Sequence, residues 1–307
     1  MLNETEDVYW MARHLERAED TARLIRAACA ILEDEGVSIE EGWEQLLQIM
    51  GLEDVAVPAG ALGPLEVVHL LVQDQTNASG ILPSLRQSTE NARQVGRGLP
   101  DVARAALEQL MGETELSLHR QTIGDDFGAW LVALIARCGE LSLRLSTSLD
   151  DDGHQLFYRL GALVERVDMT SRIVDLATVA ESPDARRGGF AASSAWGHVL
   201  DALDARAIYT ATGEVEIATP KVLNFIFDCA AFPRSLRALL NALANVLEQL
   251  FEPARPLRAL RQVERLLKRH VSINHPESLH DLMDLLQIRI AEFHQALAER
   301  YFQPVPA

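Results

Sequence analysis

One pattern constrains this chain more than any other, because it occurs twice. Glu16-Arg-Ala-Glu-Asp-Thr-Ala-Arg23 and Glu165-Arg-Val-Asp-Met-Thr-Ser-Arg172 share the form ERx(E/D)xTxR at an offset of 149 (165 minus 16), and Tyr9 and Tyr158 obey the same offset. Three further landmarks follow in the same order. Trp43 with Leu47 parallels Trp196 with Leu200, offset 153; Pro64 through Asp74 parallels Pro220 through Asp228; Ser84-Leu85-Arg86 parallels Ser235-Leu236-Arg237, offset 151. Solenoid units run to roughly 20–50 residues, so a unit of about three times that length predicts a duplicated bundle instead. The expected halves are residues 1–152 and 153–307, packed as one compact unit about a pseudo-twofold axis.

Periodicity makes both halves helical. Apolar residues recur at three- and four-residue spacing, and prolines and caps mark the boundaries. Long helices are expected near 4–34, 84–97, 101–121, 126–149, 154–181, 233–251, 255–272 and 277–302, with shorter ones near 39–50, 64–73, 194–208 and 220–228. Ser38 with Glu41 reads as a capping box, and Thr219-Pro220 as an N-cap with proline at the first helical position; Pro64, Pro233 and Pro276 open other helices. The strand-like stretch Gly213-Glu-Val-Glu-Ile217 is too short for a sheet. Loops are expected near 51–63 and 182–192, and Asp150-Asp-Asp152 reads as a solvated helix start. The fold class that results is all-α.

Charge narrows the partners. Forty-five acidic against 28 basic residues give a net charge of −17, which removes any general attraction to nucleic acid or anionic membranes. No apolar run approaches the roughly 20 residues that span a bilayer. The opening MLNETEDVYW is acidic and polar, unlike a secretory leader, and Cys29, Cys138 and Cys229 form no CxxC or even-numbered framework. Free thiols in a cytoplasmic protein are the expectation.

On a helical wheel, Tyr9, Glu16, Glu19, Asp20 and Arg23 share one narrow face with Ala12 between them, while Val8, Met11, Leu15, Ala18, Ala22 and Ile25 share the other. Taken alone, that is an amphipathic surface helix with its charges in water. The second copy reads differently. Tyr158, Gly161, Glu165, Asp168 and Arg172 take the same face of a helix otherwise apolar nearly all round, and such a helix is buried. A buried charged strip must be paired or face a cleft, since an unpaired buried ion costs several kcal/mol. Asp168–Arg172 and Glu19–Arg23 bridge at i,i+4. The like-charged pairs Glu165/Asp168 and Glu16/Glu19 need a cation, a shared proton or arginines from elsewhere, for which Arg13, Arg17, Arg166, Arg86, Arg93, Arg234 and Arg237 are the candidates. Ala12 and Gly161 would admit a backbone or a ligand close to the strip. Two readings stand: an ion-pair network tying the halves together, or a ligand or catalytic pocket.

These segments also carry a resemblance. VYWMARHLERAEDTARLI, SLRQSTENARQV (Ser84–Val95), FYRLGALVERVDMTSRIVD (Phe157–Asp175) and FPRSLR (Phe232–Arg237) resemble, in order, the signatures of the alpha-E family of bacterial proteins. The start of the second segment, Arg86-Gln-Ser-Thr-Glu90, departs from the family's ARENAR. The resemblance implies a helical protein that works beside a circularly permuted ATP-grasp ligase, and alongside a transglutaminase-like peptidase, in peptide- or amide-bond formation. The motif residues carried over are Tyr9, Glu16, Arg17, Glu19, Arg23, Glu90, Asn91, Arg93, Glu165, Arg166, Asp168, Arg172 and Arg234. An amino-acid or peptide group would be bound by Tyr9, Arg13, Glu16, Glu19, Arg23, Arg93, Tyr158, Glu165, Asp168, Arg172 and Arg234, arginines taking a carboxylate and acids an amine. The competing expectation is an amide-transfer enzyme with Glu16 or Glu165 as general base; a third is a scaffold without chemistry.

Other chemistries find less support. GxxxxGK(S/T), GxGxxG and GxSxG are missing, so ATP with its Mg²⁺ is expected only through a partner and no cofactor directly. Glu66-Val-Val-His69 and Glu277-Ser-Leu-His280 could join Glu16 and Glu165 in a ferritin-like di-metal set. Both follow a proline into a first helical turn, where Glu serves the helix dipole, and no metal site is expected. His14, His119, His154, His198, His270, His275 and His294 form no HExxH.

Overall fold

The computed structural model describes residues 2–33, 39–52, 64–120, 126–149, 152–180, 192–269 and 276–303. Within them the fold is all-α. The helices are α1 (Leu2–Glu33), α2 (Ile39–Ile49), α3 (Pro64–Val72), α4 (Ile81–Gln94), α5 (Asp101–Arg120), α6 (Phe127–Ser148) and α7 (Asp152–Ala180). After these come α8 (Ala192–Ala202), α9 (Arg206–Ala211), α10 (Thr219–Asp228), α11 (Leu236–Leu247), α12 (Ala254–Arg269) and α13 (Pro276–Tyr301).

Local chemistry sets most of the boundaries. Pro64 and Pro276 begin their helices as expected, where a missing N–H costs nothing. Thr219 does not cap α10. Extended Ala218 does so, and the Thr219 hydroxyl instead accepts from the Trp196 indole at 2.9 Å. The helix expected from Pro233 starts three residues later, because the Ser235 side chain accepts from Ala238 N at 3.2 Å and leaves Pro233 and Arg234 in a turn. The helix expected over 194–208 is two: Asp204, at φ 53°, turns the chain between α8 and α9. Residues 214–218 are irregular, with the Tyr209 hydroxyl donating to Glu216 O at 2.7 Å. The capping box at Ser38, Asp150 and Asp151, and most of the two expected loops fall outside the described residues.

α1 and α7 pack on each other at the centre of the molecule. α4 and α6 lie on α1 and are joined to each other through α5; α11 and α13 lie on α7 and are joined through α12. The short helices α2 and α8 each touch both central helices. On the α1 wheel Val8, Met11, Leu15, Ala18, Ala22 and Ile25 are all buried. So is its charged face: Glu16 is 1% exposed, Asp20 0% and Arg23 6%. α7 and the turn carrying Arg234 cover the side that α1, taken alone, would leave in water.

The two central helices meet at Gly161. A Cβ there would lie 2.1 Å from the Tyr9 carbonyl oxygen and 3.2 Å from Ala12 Cβ. Ala12 and Gly161 occupy equivalent places in the two ERx(E/D)xTxR helices, so the crossing sits on the two smallest residues of the strips. The close approach they permit is taken by backbone.

Candidate functional site

Two reciprocal sets of contacts hold the strips together. The Glu165 carboxylate accepts from Arg13 Nε at 2.8 Å and from Arg17 Nε and Nη2 at 2.5 and 2.9 Å. The Glu16 carboxylate accepts from Arg166 Nε and Nη2 at 2.5 and 2.6 Å. Each Glu-Arg dipeptide thus gives its acid to the other helix's arginine in a two-pronged, planar fit, the strongest geometry open to these groups. The last arginine of each motif also crosses. Arg23 Nη1 donates to Ala202 O at 2.9 Å, and Arg172 Nη1 donates to Ile49 O. Ala202 and Ile49 are the last residues of α8 and α2, so each arginine closes the carbonyl end of the short helix that follows the other central helix, where a cation is favoured.

Beyond this exchange the halves differ. Asp20 accepts from Arg234 Nη2 at 2.5 and 2.6 Å, and Arg234 also lies 3.6 Å from Glu16 and 3.9 Å from Glu19. Glu19 accepts from Arg23 at 2.7 Å, and Arg23 in turn meets Asp204 at 2.5 Å. The corresponding places in the other half hold Met169 and Pro83. There Asp168 bridges Arg172 at 3.0 Å, and both side chains keep partial exposure, 17% and 19%. Phe232, buried and stacked on Phe225 at 5.0 Å between ring centres, anchors the turn that presents Arg234.

Electrostatics separates the acids. Burial alone would raise Glu165, but Arg17 and Arg13 outweigh it and bring the carboxyl down to about 2. Glu16 is likewise lowered against its burial, chiefly by Arg166. Glu19 and Asp20 go the other way. Burial raises both, the neighbouring carboxylates add to it, and Asp20 reaches about 7 despite Arg234. Burial and the crowding of carboxylates thus make Glu19 and Asp20 easier to protonate than exposed acids, whereas neither glutamate of the ER dipeptides has the elevated pKa that a base working near neutrality needs.

An aromatic cap closes the second strip. Arg13 stacks over Trp10 at 5.1 Å, and the Tyr9 hydroxyl meets His294 Nδ1 at 2.8 Å. Burial pushes Tyr9 up to about 12, and His14 and His294 down to about 4 with the arginines assisting, so both imidazoles are neutral. Tyr158 has a different partner, donating to Ser142 Oγ at 3.1 Å.

Of the expected binding residues, the structure brings Tyr9, Arg13, Glu16, Glu19, Arg23, Tyr158, Glu165, Asp168, Arg172 and Arg234 together along the α1–α7 contact. Arg93 is not with them: it lies on the outside of α4, half exposed, paired with Glu90 and Glu108. Arg86 and Arg237 are spent on Glu115 and Asp228, leaving Arg13, Arg17, Arg166 and Arg234 as the suppliers. The di-metal set is not assembled, since arginines occupy Glu16 and Glu165 and His280 faces Asp175. Sequence reasoning placed Asp20 on the strip without giving it a role; the signal available was its lack of a counterpart at Met169. The two helix-end carbonyls left no signal, because a backbone acceptor has no side-chain signature. All three cysteines are free.

Among curated proteins and among solved structures, none matches the chain. One family does, at residues 4–302, under the description "a predicted alpha-helical domain with a conserved ER motif". With its two Glu-Arg dipeptides exchanging partners at the core of a wholly helical fold, the chain belongs to the Alpha-E family.

Proposed function

We propose that this chain is a non-catalytic helical subunit of an ATP-dependent peptide- or amide-forming ligase system, working beside a circularly permuted ATP-grasp partner that binds the nucleotide. The observation that carries the reading is the saturation of Glu16 and Glu165. Each carboxylate is buried, forked by guanidinium and held below the ordinary carboxylate range, which removes both as general bases and leaves the amide-transfer alternative without its proton acceptor. The ER strips then serve as a lock between two copies of one bundle, and the reciprocal contacts are those that a twofold axis between duplicated halves would impose. Recognition of an amino-acid or peptide group falls to the partly exposed Asp168 and Arg172, which bridge each other at the edge of the lock. The family resemblance of the sequence supports the choice of ligase.

Co-purification with the ATP-grasp ligase, followed by ATP consumption with and without this chain, tests the proposal. Stimulation of the ligase by wild type and its loss on Arg172→Ala are expected. Turnover of amino-acid or peptide substrates by the isolated chain overturns it.

A further inference from the structure

One cluster of ligating side chains stands outside the lock. Asp175 lies near the end of α7, fully buried, where that helix meets α13. Its Oδ2 is 2.9 Å from His280 Nδ1, and His280 Nε2 is 3.6 Å from Asp284 Oδ2. One ligand atom from each of the three residues lies within 4.8 Å of the other two. We propose that Asp175, His280 and Asp284 form a binding site for one divalent first-row transition ion, of the Zn²⁺ class.

The arrangement has the parts such a site needs. His280 and Asp284 stand one helical turn apart on α13, so their side chains leave the same face and can chelate. Asp175 comes from the facing helix and is held in place by burial and by the Thr178 hydroxyl, 3.3 Å from Oδ1. Ligands about 2.0–2.2 Å from a tetrahedral ion stand roughly 3.3–3.6 Å apart. With His280 binding through one nitrogen, the three ligand atoms lie within 4.8 Å of one another, close to that spacing, and the exposed Asp284 can supply the remaining movement by a change of rotamer. One imidazole with two carboxylates suits an ion of borderline softness better than Mg²⁺ or Ca²⁺, which take oxygen alone. The charge also fits: two carboxylates balance a dication with His280 neutral. Three protein ligands leave a fourth position for water, the mark of an ion that can act on a substrate. At the place in the first half equivalent to Asp175 stands Arg26, so the cluster owes nothing to the reciprocal pairing of the strips.

The test is titration of the full chain, stripped with chelator and dialysed, with Zn²⁺ by calorimetry and with Co²⁺ by visible absorption. One ion per chain is expected, with a rise in Tm of roughly 3–6 °C at hundredfold excess over Kd. Asp284→Asn is the deciding variant, because its side chain is 55% exposed and its loss spares the packing. It should leave the metal-free Tm unchanged and weaken Zn²⁺ at least tenfold; His280→Gln should do the same to the ion. Absence of stoichiometric binding, or equal affinity in wild type and Asp284→Asn, overturns the site.

Discussion

Replacing Glu165 by glutamine keeps the volume of the side chain and removes its charge, and the structure sets the size of the effect. In wild type the carboxylate neutralises Arg13 and Arg17 inside the α1–α7 contact, where Arg13 is 8% exposed and Glu165 is 0%. The variant leaves two guanidinium groups facing an amide, and removing one member of a buried charged group costs about 3–5 kcal/mol. A second route to the magnitude agrees. A carboxyl lowered from 4.5 to about 2 on folding contributes about 3 kcal/mol above pH 4.5, since a pH unit is worth about 1.4 kcal/mol. The sign follows from the lowered folded-state value: the contribution is complete above pH 4.5 and disappears as pH falls towards 2. Urea denaturation of wild type and Glu165→Gln at pH 7 should therefore differ by about 3 kcal/mol, and the difference should shrink steadily between pH 4.5 and the acid limit of the folded state. A loss under 1 kcal/mol at pH 7, or a difference that does not change with pH, refutes the claim that this carboxylate is a buried structural ion.

The other strip should respond to pH in the opposite direction: Asp20, raised to about 7, takes up a proton in the folded state first, so its contribution to stability grows as pH falls from 8 to 5.5, by about 2 kcal/mol. Urea midpoints corrected for the other carboxylates by comparison with Asp20→Asn will show that rise in wild type alone. Gly161→Ala should cost about 3 kcal/mol or more in the same assay, because its methyl would have to displace the Tyr9 carbonyl oxygen at 2.1 Å. Arg172→Ala removes the cation at the carbonyl end of α2 and should lower stability by about 1–2 kcal/mol, leaving enough folded protein for the ligase assay. Arg93→Ala, on the outside of α4, should leave the urea midpoint unchanged.

How much of this was legible depended on whether the chemistry left its mark on one helix or needed two. The helices were readable because each carries its own period and its own punctuation: Pro64 and Pro276 stand at the first residue of α3 and α13. The misreadings came where a residue other than proline set the boundary. Asp204 splits α8 from α9 with a left-handed backbone, and aspartate is common enough in helices that nothing in 194–208 announced it. Ser235 supplied a better cap than the proline two residues before it. Burial of α1 could not be read from α1 alone. Its two faces look like inside and outside on a wheel, and only the partner helix, with Arg166 reaching Glu16 and Gly161 against Tyr9, turns both into inside.

The charged strip itself shows why a repeat in sequence says more about pairing than a single motif does. A glutamate followed by an arginine on one helix cannot bond to each other, because adjacent side chains diverge by about 100°. An isolated Glu16-Arg17 therefore leaves both groups seeking partners elsewhere, and no partner can be named. Two copies on two packed helices solve the problem for each other: Glu16 takes Arg166 and Glu165 takes Arg17. The same logic extends to Arg23 and Arg172, which reach the carbonyl ends of α8 and α2. What reciprocity does not account for is Asp20 with Arg234, which have no counterpart, and the partial exposure that Asp168 and Arg172 keep where Glu19 and Arg23 are buried. Groups satisfied by an exchange are fixed by the fold's own stability, and changing either copy should damage both halves together. Asp20 is buried and Arg234 nearly so, and they carry the same cost of an unpaired ion, so substitutions that alter what this protein does while sparing its fold should map first to the partly exposed Asp168 and Arg172.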